Sequence, residues 1–158
     1  MTAPSPTSRS TPSGIPLPRG YQMLVTFAAD TDVSLWEKAV QPPGVDGGEP
    51  IATTTQHNTT YRTFVPRVLK TLTPHTFTAA YDPGVYTQII ALVNVETTIT
   101  ITFGDGSTVA FYGFLQKFEP AQTTEENQPE ATVTVVPTNW DPTSHVEAGP
   151  AVSSVAGT

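Results

Sequence analysis

Apolar and polar positions along this chain alternate in short bursts two residues apart, with one stretch at helical spacing. Tyr21, Met23, Val25 and Phe27 are separated by smaller or polar residues, the period of a half-buried strand. Residues 33–40 (VSLWEKAV) fit either a short strand or a helical turn. Residues 41–58 then read as a long loop, punctuated by Pro42-Pro43-Gly44, Asp46-Gly47-Gly48 and Pro50. A structureless stretch of that length inside a compact domain is uncommon and often functional. Residues 61–65 and 76–80 resume the extended pattern.

Asp82-Pro83 opens the one convincing helix. Asp suits the N-cap, where its carboxylate accepts orphan amide protons, and Pro suits the first helical position. Tyr86, Ile89, Ile90 and Val93 follow as a predicted apolar stripe. Ile99, Ile101 and Phe103 then alternate with Thr98, Thr100 and Thr102, and Gly104-Asp105-Gly106-Ser107 predicts a hairpin turn whose glycines supply positive φ. Residues 109–118 return as a long strand apolar on both faces, a polar loop covers 120–128, and 131–136 form another strand. The pattern predicts a mainly β fold of five or six strands with one flanking helix.

Composition sets the boundaries. Residues 1–20 hold five Pro and seven Ser/Thr, and their only charges are Arg9 and Arg19. They cannot bury enough surface to offset ordering entropy, so they read as a flexible Pro-rich arm. Residues 141–158, with Asp141 and Glu147 as their only charges, read as an extended C-terminal arm. Between them, residues 21–140 form the β domain. The formal net charge is −7, and the acidity belongs to that body, which argues against a surface that grips nucleic acid. The absence of Cys removes disulfides, thiolate metal sites and thiol catalysis. The longest unbroken apolar run, Ile89-Ile90-Ala91-Leu92-Val93, is far short of the ~18 residues that span a bilayer. Residues 1–20 also lack the apolar core of a secretory signal.

Candidate chemistry is sparse. His57, His75 and His145 stand alone, without the spacing of a metal site. No nucleophile elbow or phosphate-binding glycine motif occurs. Gly104-Asp105-Gly106-Ser107 lacks the oxygen run and closing Glu of a calcium loop. Glu119, Glu125, Glu126 and Glu130 could pair for acid–base work, but a polar loop makes a solvated face of them. Asn58-Thr59-Thr60 matches a glycosylation sequon, without a signal peptide to give it meaning. The expectation is no enzyme, with no catalytic, cofactor-binding or metal residues and no cofactor.

A long strand apolar on both sides beside Thr-faced strands makes sense if the sheet continues into neighbouring subunits, so that its edges vanish into a closed ring. A self-contained sandwich with ragged loops fits the same pattern. In that second case Trp36, Trp140 and Tyr112 are the aromatic candidates for a monomeric glycan- or protein-binding module.

From about residue 35 to 150 the chain resembles the major tail tube proteins of long, non-contractile-tailed bacteriophages, the siphophage type. The resemblance rests on Thr53-Thr54-Thr55-Gln56-His57-Asn58, then Arg62, Thr63 and Pro66-Arg67-Val68-Leu69, then Tyr81-Asp82-Pro83. It continues through Ile99-Thr100-Ile101-Thr102-Phe103-Gly104-Asp105-Gly106-Ser107-Thr108. The most specific fragments are Phe111-Tyr112-Gly113-Phe114-Leu115-Gln116-Lys117-Phe118-Glu119-Pro120 and Gln128-Pro129-Glu130-Ala131-Thr132-Val133-Thr134-Val135-Val136-Pro137-Thr138-Asn139.

The resemblance implies a β-sandwich tail-tube fold with one flanking helix. It also implies that six copies form a ring, that rings stack, and that inner strands join into a multi-subunit β-barrel around a lumen. The implied partners are the chain itself, through the loop 41–58 and the termini, together with tape measure, tail chaperone and tail terminator proteins. Double-stranded DNA would pass through the lumen without specific binding, aided by the repulsion of phosphates from carboxylates. No membrane is involved, and the implied location is the virion tail, assembled in the host bacterial cytoplasm. A tail completion or head–tail joining ring of related fold is the alternative within virion structure.

Overall fold

The structure, a computed structural model, describes residues 23–154 apart from 32 and 34. The Pro-rich arm at 1–20, Tyr21 and the last residues of the C-terminal arm therefore lie outside the described residues. The fold is mainly β, with a large antiparallel sheet and one α-helix among the described residues. The sheet takes β1 (Leu24–Phe27), β2 (Trp36–Val40), β7 (His75–Ala80), β8 (Glu96–Thr102), β9 (Thr108–Pro120) and β10 (Glu130–Pro137) in the order β1-β8-β9-β10-β7-β2. Three two-stranded pieces complete the strands that precede the C-terminal segment. They pair β3 (Val45–Asp46) with β6 (Thr71–Leu72), β4 (Ile51–Ala52) with β5 (Phe64–Val65), and β11 (Trp140–Asp141) with β12 (Val146–Glu147). β13 (Ala151–Ser153) returns to pair with the first residues of β9.

Alternation decides which face is inside. Val25 and Phe27, Phe77 and Ala79, Ile99 and Ile101, Phe111 and Leu115, Val133 and Val135 all point to one core. Each large side chain buried there contributes about 1.5–3 kcal/mol relative to exposure. The opposite face carries Thr98, Thr100, Thr132, Thr134 and Thr78, all half-buried, with Thr76 exposed. Hydroxyls face outward where methyls would leave an apolar plane.

A single sheet that buries one core must curl. Its border strands, β1 and β2, come close enough for the Val25 N–H to donate to Glu37 Oε1 at 2.8 Å. Burial raises the Glu37 carboxyl above its ordinary value, and the bond from Val25 opposes that rise.

A bulge changes the phase of the long strand. β10 pairs Thr134 with Lys117 but Val135 with Leu115, leaving Gln116 as an extra residue. Phe111 and Leu115 point inward before it; beyond it the phase flips, and Phe118 turns to the core opposite Val133. Gly113 sits where a Cβ would lie 2.6 Å from the Val136 carbonyl oxygen, so the strands can approach there only without a side chain.

The helix begins as expected but buries a different stripe. Asp82 Oδ1 accepts the Gly84 N–H at 2.8 Å, capping a 3-10 turn at Pro83–Val85 that runs into α1 (Tyr86–Leu92). Ile89 and Leu92 are buried, with Val85 and Val93 packed beside them, whereas Tyr86 and Ile90 face outward. The inward residues Val85, Ile89, Leu92 and Val93 keep helical spacing and share Ile89 and Val93 with the predicted stripe, so the inward face is turned by about one position from it. In the β8–β9 turn only Gly106 takes positive φ, at 84°, so Gly104 is not the conformational necessity that the sequence implied.

Candidate assembly surfaces

The histidines are not brought together, and among the described residues no group of His, Asp or Glu could hold a metal ion. His57 lies exposed among residues 54–62, and His145 stacks on Trp140, centroids 6.1 Å apart and planes within 13°. His75 is buried edge-on against Phe111 at 5.3 Å, and neither of its ring nitrogens has a hydrogen-bond partner.

Burial pushes the His75 pKa down to about 4 from an ordinary 6.5. The folded chain thus holds His75 neutral, while the unfolded chain protonates it near 6.5. Its stabilising contribution is present above 6.5 and is lost as pH falls through about 4, at a cost of about 3 kcal/mol. His75→Phe is expected to flatten this part of the pH dependence. Thermal melts from pH 7 to 3.5 check this, and an unchanged pH slope in the variant would contradict it.

The carboxylates proposed for acid–base work are spread out. Glu119 pairs with Lys117 at 2.6 Å, Glu130 pairs with Lys38, and Glu125 and Glu126 sit in an exposed loop. The sequon residue Asn58 serves a turn, its amide oxygen accepting the Thr55 N–H at 2.8 Å and its amide nitrogen donating to the Tyr61 carbonyl. Asp105 binds the Ser107 hydroxyl and N–H within the β8–β9 turn, which lowers its pKa. Of the aromatic candidates, Trp36 is on the border strand β2, whereas Tyr112, on the Thr-rich face of β9, hydrogen-bonds Asp141 beside Trp140.

The sequence pattern missed the most prominent surface. Residues 41–74 are not a loop followed by a strand but one long hairpin standing off the sheet. Its root is held by Gly44 and Thr73, whose backbones bond at 2.9 Å, and by the buried Leu72. β3 pairs with β6, β4 with β5, and the Thr53 N–H reaches the Thr63 carbonyl at 2.9 Å. Arg67 Nε donates to the Glu49 carbonyl across the two limbs. Beyond the root the arm is exposed, including Tyr61 at 81%, Val68 at 91% and Leu69 at 77%. A lone two-stranded ribbon is marginal in water, and so much exposed apolar surface marks a contact site. An open cleft of about 680 Å³ lies at the arm's root, between Leu69–Leu72 and the segment Glu147–Pro150.

Because every sheet neighbour is antiparallel, the connections sort to two ends. The arm, the β8–β9 turn and the β11–β12 hairpin leave from one. The links β1–β2, β7–β8 with α1, and β9–β10 lie at the other.

The sequence matches no protein-family model and no curated protein. Among solved structures, the fold is similar to a chain of the anti-feeding prophage baseplate, determined with six-fold symmetrisation. The TM-score is 0.57 at 4% identity, over 83% of this chain and 90% of that one. It is also similar to a chain of the tail of an empty GTA particle, refined helically with C6 symmetry. Here the TM-score is 0.51 at 10% identity, over 87% of this chain and 98% of that one. At these identities the likeness is one of fold alone.

Proposed function

We propose that this chain is a structural subunit of a phage-type tail tube, self-assembling into stacked six-membered rings that form the conduit for viral DNA. The observation that carries the reading is the exposed apolar arm, which a solitary molecule has no use for and a neighbouring copy would cover. The fold's likeness to subunits of two six-fold assemblies supports it, as do the ordered sequence fragments resembling tail tube proteins. Assembly would extend the sheet's borders and bury the arm against an adjacent subunit. Tape measure, chaperone and terminator proteins would be the further partners, and the virion tail the location. The role needs no catalysis. Sedimentation velocity over a hundredfold concentration range tests the reading. Growth from monomer to large particles is expected, and a monomer at every concentration would overturn it.

A further inference from the structure

We infer that the helix-bearing end of the sheet is the docking surface for the arm of a second copy, its exposed helix face receiving the arm's apolar side chains inside a rim of carboxylates. This inference rests on the self-assembly reading above and adds the surface that receives the arm. Tyr86 and Ile90 stand one helical turn apart on the outer side of α1, 40% and 55% exposed, with Val95 beyond them. Tyr86 is held from beneath by Tyr81 and Phe118, ring centroids 6.3 and 6.0 Å away, so the patch is formed before any partner arrives.

Charge chooses the occupant. Asp82, Glu96, Glu119, Glu125, Glu126 and Glu130 lie in the links and strand ends of this same end. The lysines there, Lys38 and Lys117, are engaged by Glu130 and Glu119. The arm carries Arg62, Arg67 and Lys70 against Asp46 and Glu49, a cationic element on an acidic chain. Among the described residues neither ion pair uses an arm cation. Two acidic ends repel each other and two arms gain nothing electrostatically, whereas arm and acidic end attract. Since they sit at opposite ends, the contact is head to tail, and such contacts propagate into stacks instead of closing a pair.

Complementary charge reversal tests this. One variant carries Arg62→Glu and Lys70→Glu; the other carries Glu125→Arg and Glu126→Arg. All four positions are exposed, so both variants should melt like the unaltered chain. Each alone is expected to raise the concentration needed for assembly by about tenfold or more, and an equimolar mixture should restore it. Ile90→Asp, also exposed, should block assembly in either background. If the unaltered chain polymerises and the variants polymerise equally well alone, or the mixture fails, the docking surface is wrong while the tail-tube reading stands. An unaltered chain that never polymerises overturns both.

Discussion

Ile101→Asp is expected to unfold the domain outright. Ile101 is fully buried near the end of β8, paired with Val25 on one side and Val109 on the other. A carboxylate there has neither a partner nor water. Burying an unpaired charge costs more than the about 4–5 kcal/mol that marks an exceptional substitution, and adds the lost transfer energy of the Ile side chain. That exceeds a large part of a marginal stability of about 5–15 kcal/mol. Thr76→Asp, on the exposed face of β7, is the matched control and should stay within about 0.5 kcal/mol of the parent. Circular dichroism melts of both variants check the pair. A cooperative melt of Ile101→Asp near the parental temperature would contradict the burial of β8.

Excising residues 51–65 and closing the gap with two glycines should do the reverse: spare the fold and abolish assembly. All the residues removed are exposed. The root contacts of Gly44, Thr73 and Leu72 remain, and so does the sheet. The melting temperature should therefore shift by only a few degrees, since the ribbon contributes little beyond its own hydrogen bonds. Assembly should vanish, because Tyr61, Phe64 and Val65 leave with the excised segment. Sedimentation and melting together separate the outcomes: particles as large as those of the parent would show that the arm is not the contact, and a collapsed melt would show that it belongs to the core.

The strands of the large sheet were legible because their burial follows a period of two. Ile99 and Ile101 against Thr98 and Thr100 state their faces without ambiguity, and the resemblance to tail tube proteins named the same mainly β fold with one helix. Three features escaped for identifiable reasons. The helix stripe was out of phase because Tyr86 and Ile90 fit helical spacing as well as Val85 and Leu92 do, and spacing does not say which of two overlapping stripes faces the core. β9 looks apolar on both sides because Tyr112 and Phe114 lie half-buried on its outer face, and the bulge at Gln116, invisible to a period of two, moves Phe118 to the inner one. The first limb of the arm, residues 41–58, reads as a loop because it carries Pro, Gly and Thr and buries almost nothing. Ribbon pairing without a buried face leaves no hydrophobic alternation to find. The receiving surface was illegible for a related reason: its carboxylates come from two separate links and the strand ends beside them, and only the antiparallel order of the strands collects them at one end.

Electron microscopy of the purified full chain at high concentration addresses the central claim most directly. Hollow particles with six-fold symmetry in end-on views, lengthening as protein is added, are expected. Solid, asymmetric or single-copy particles would contradict the tube.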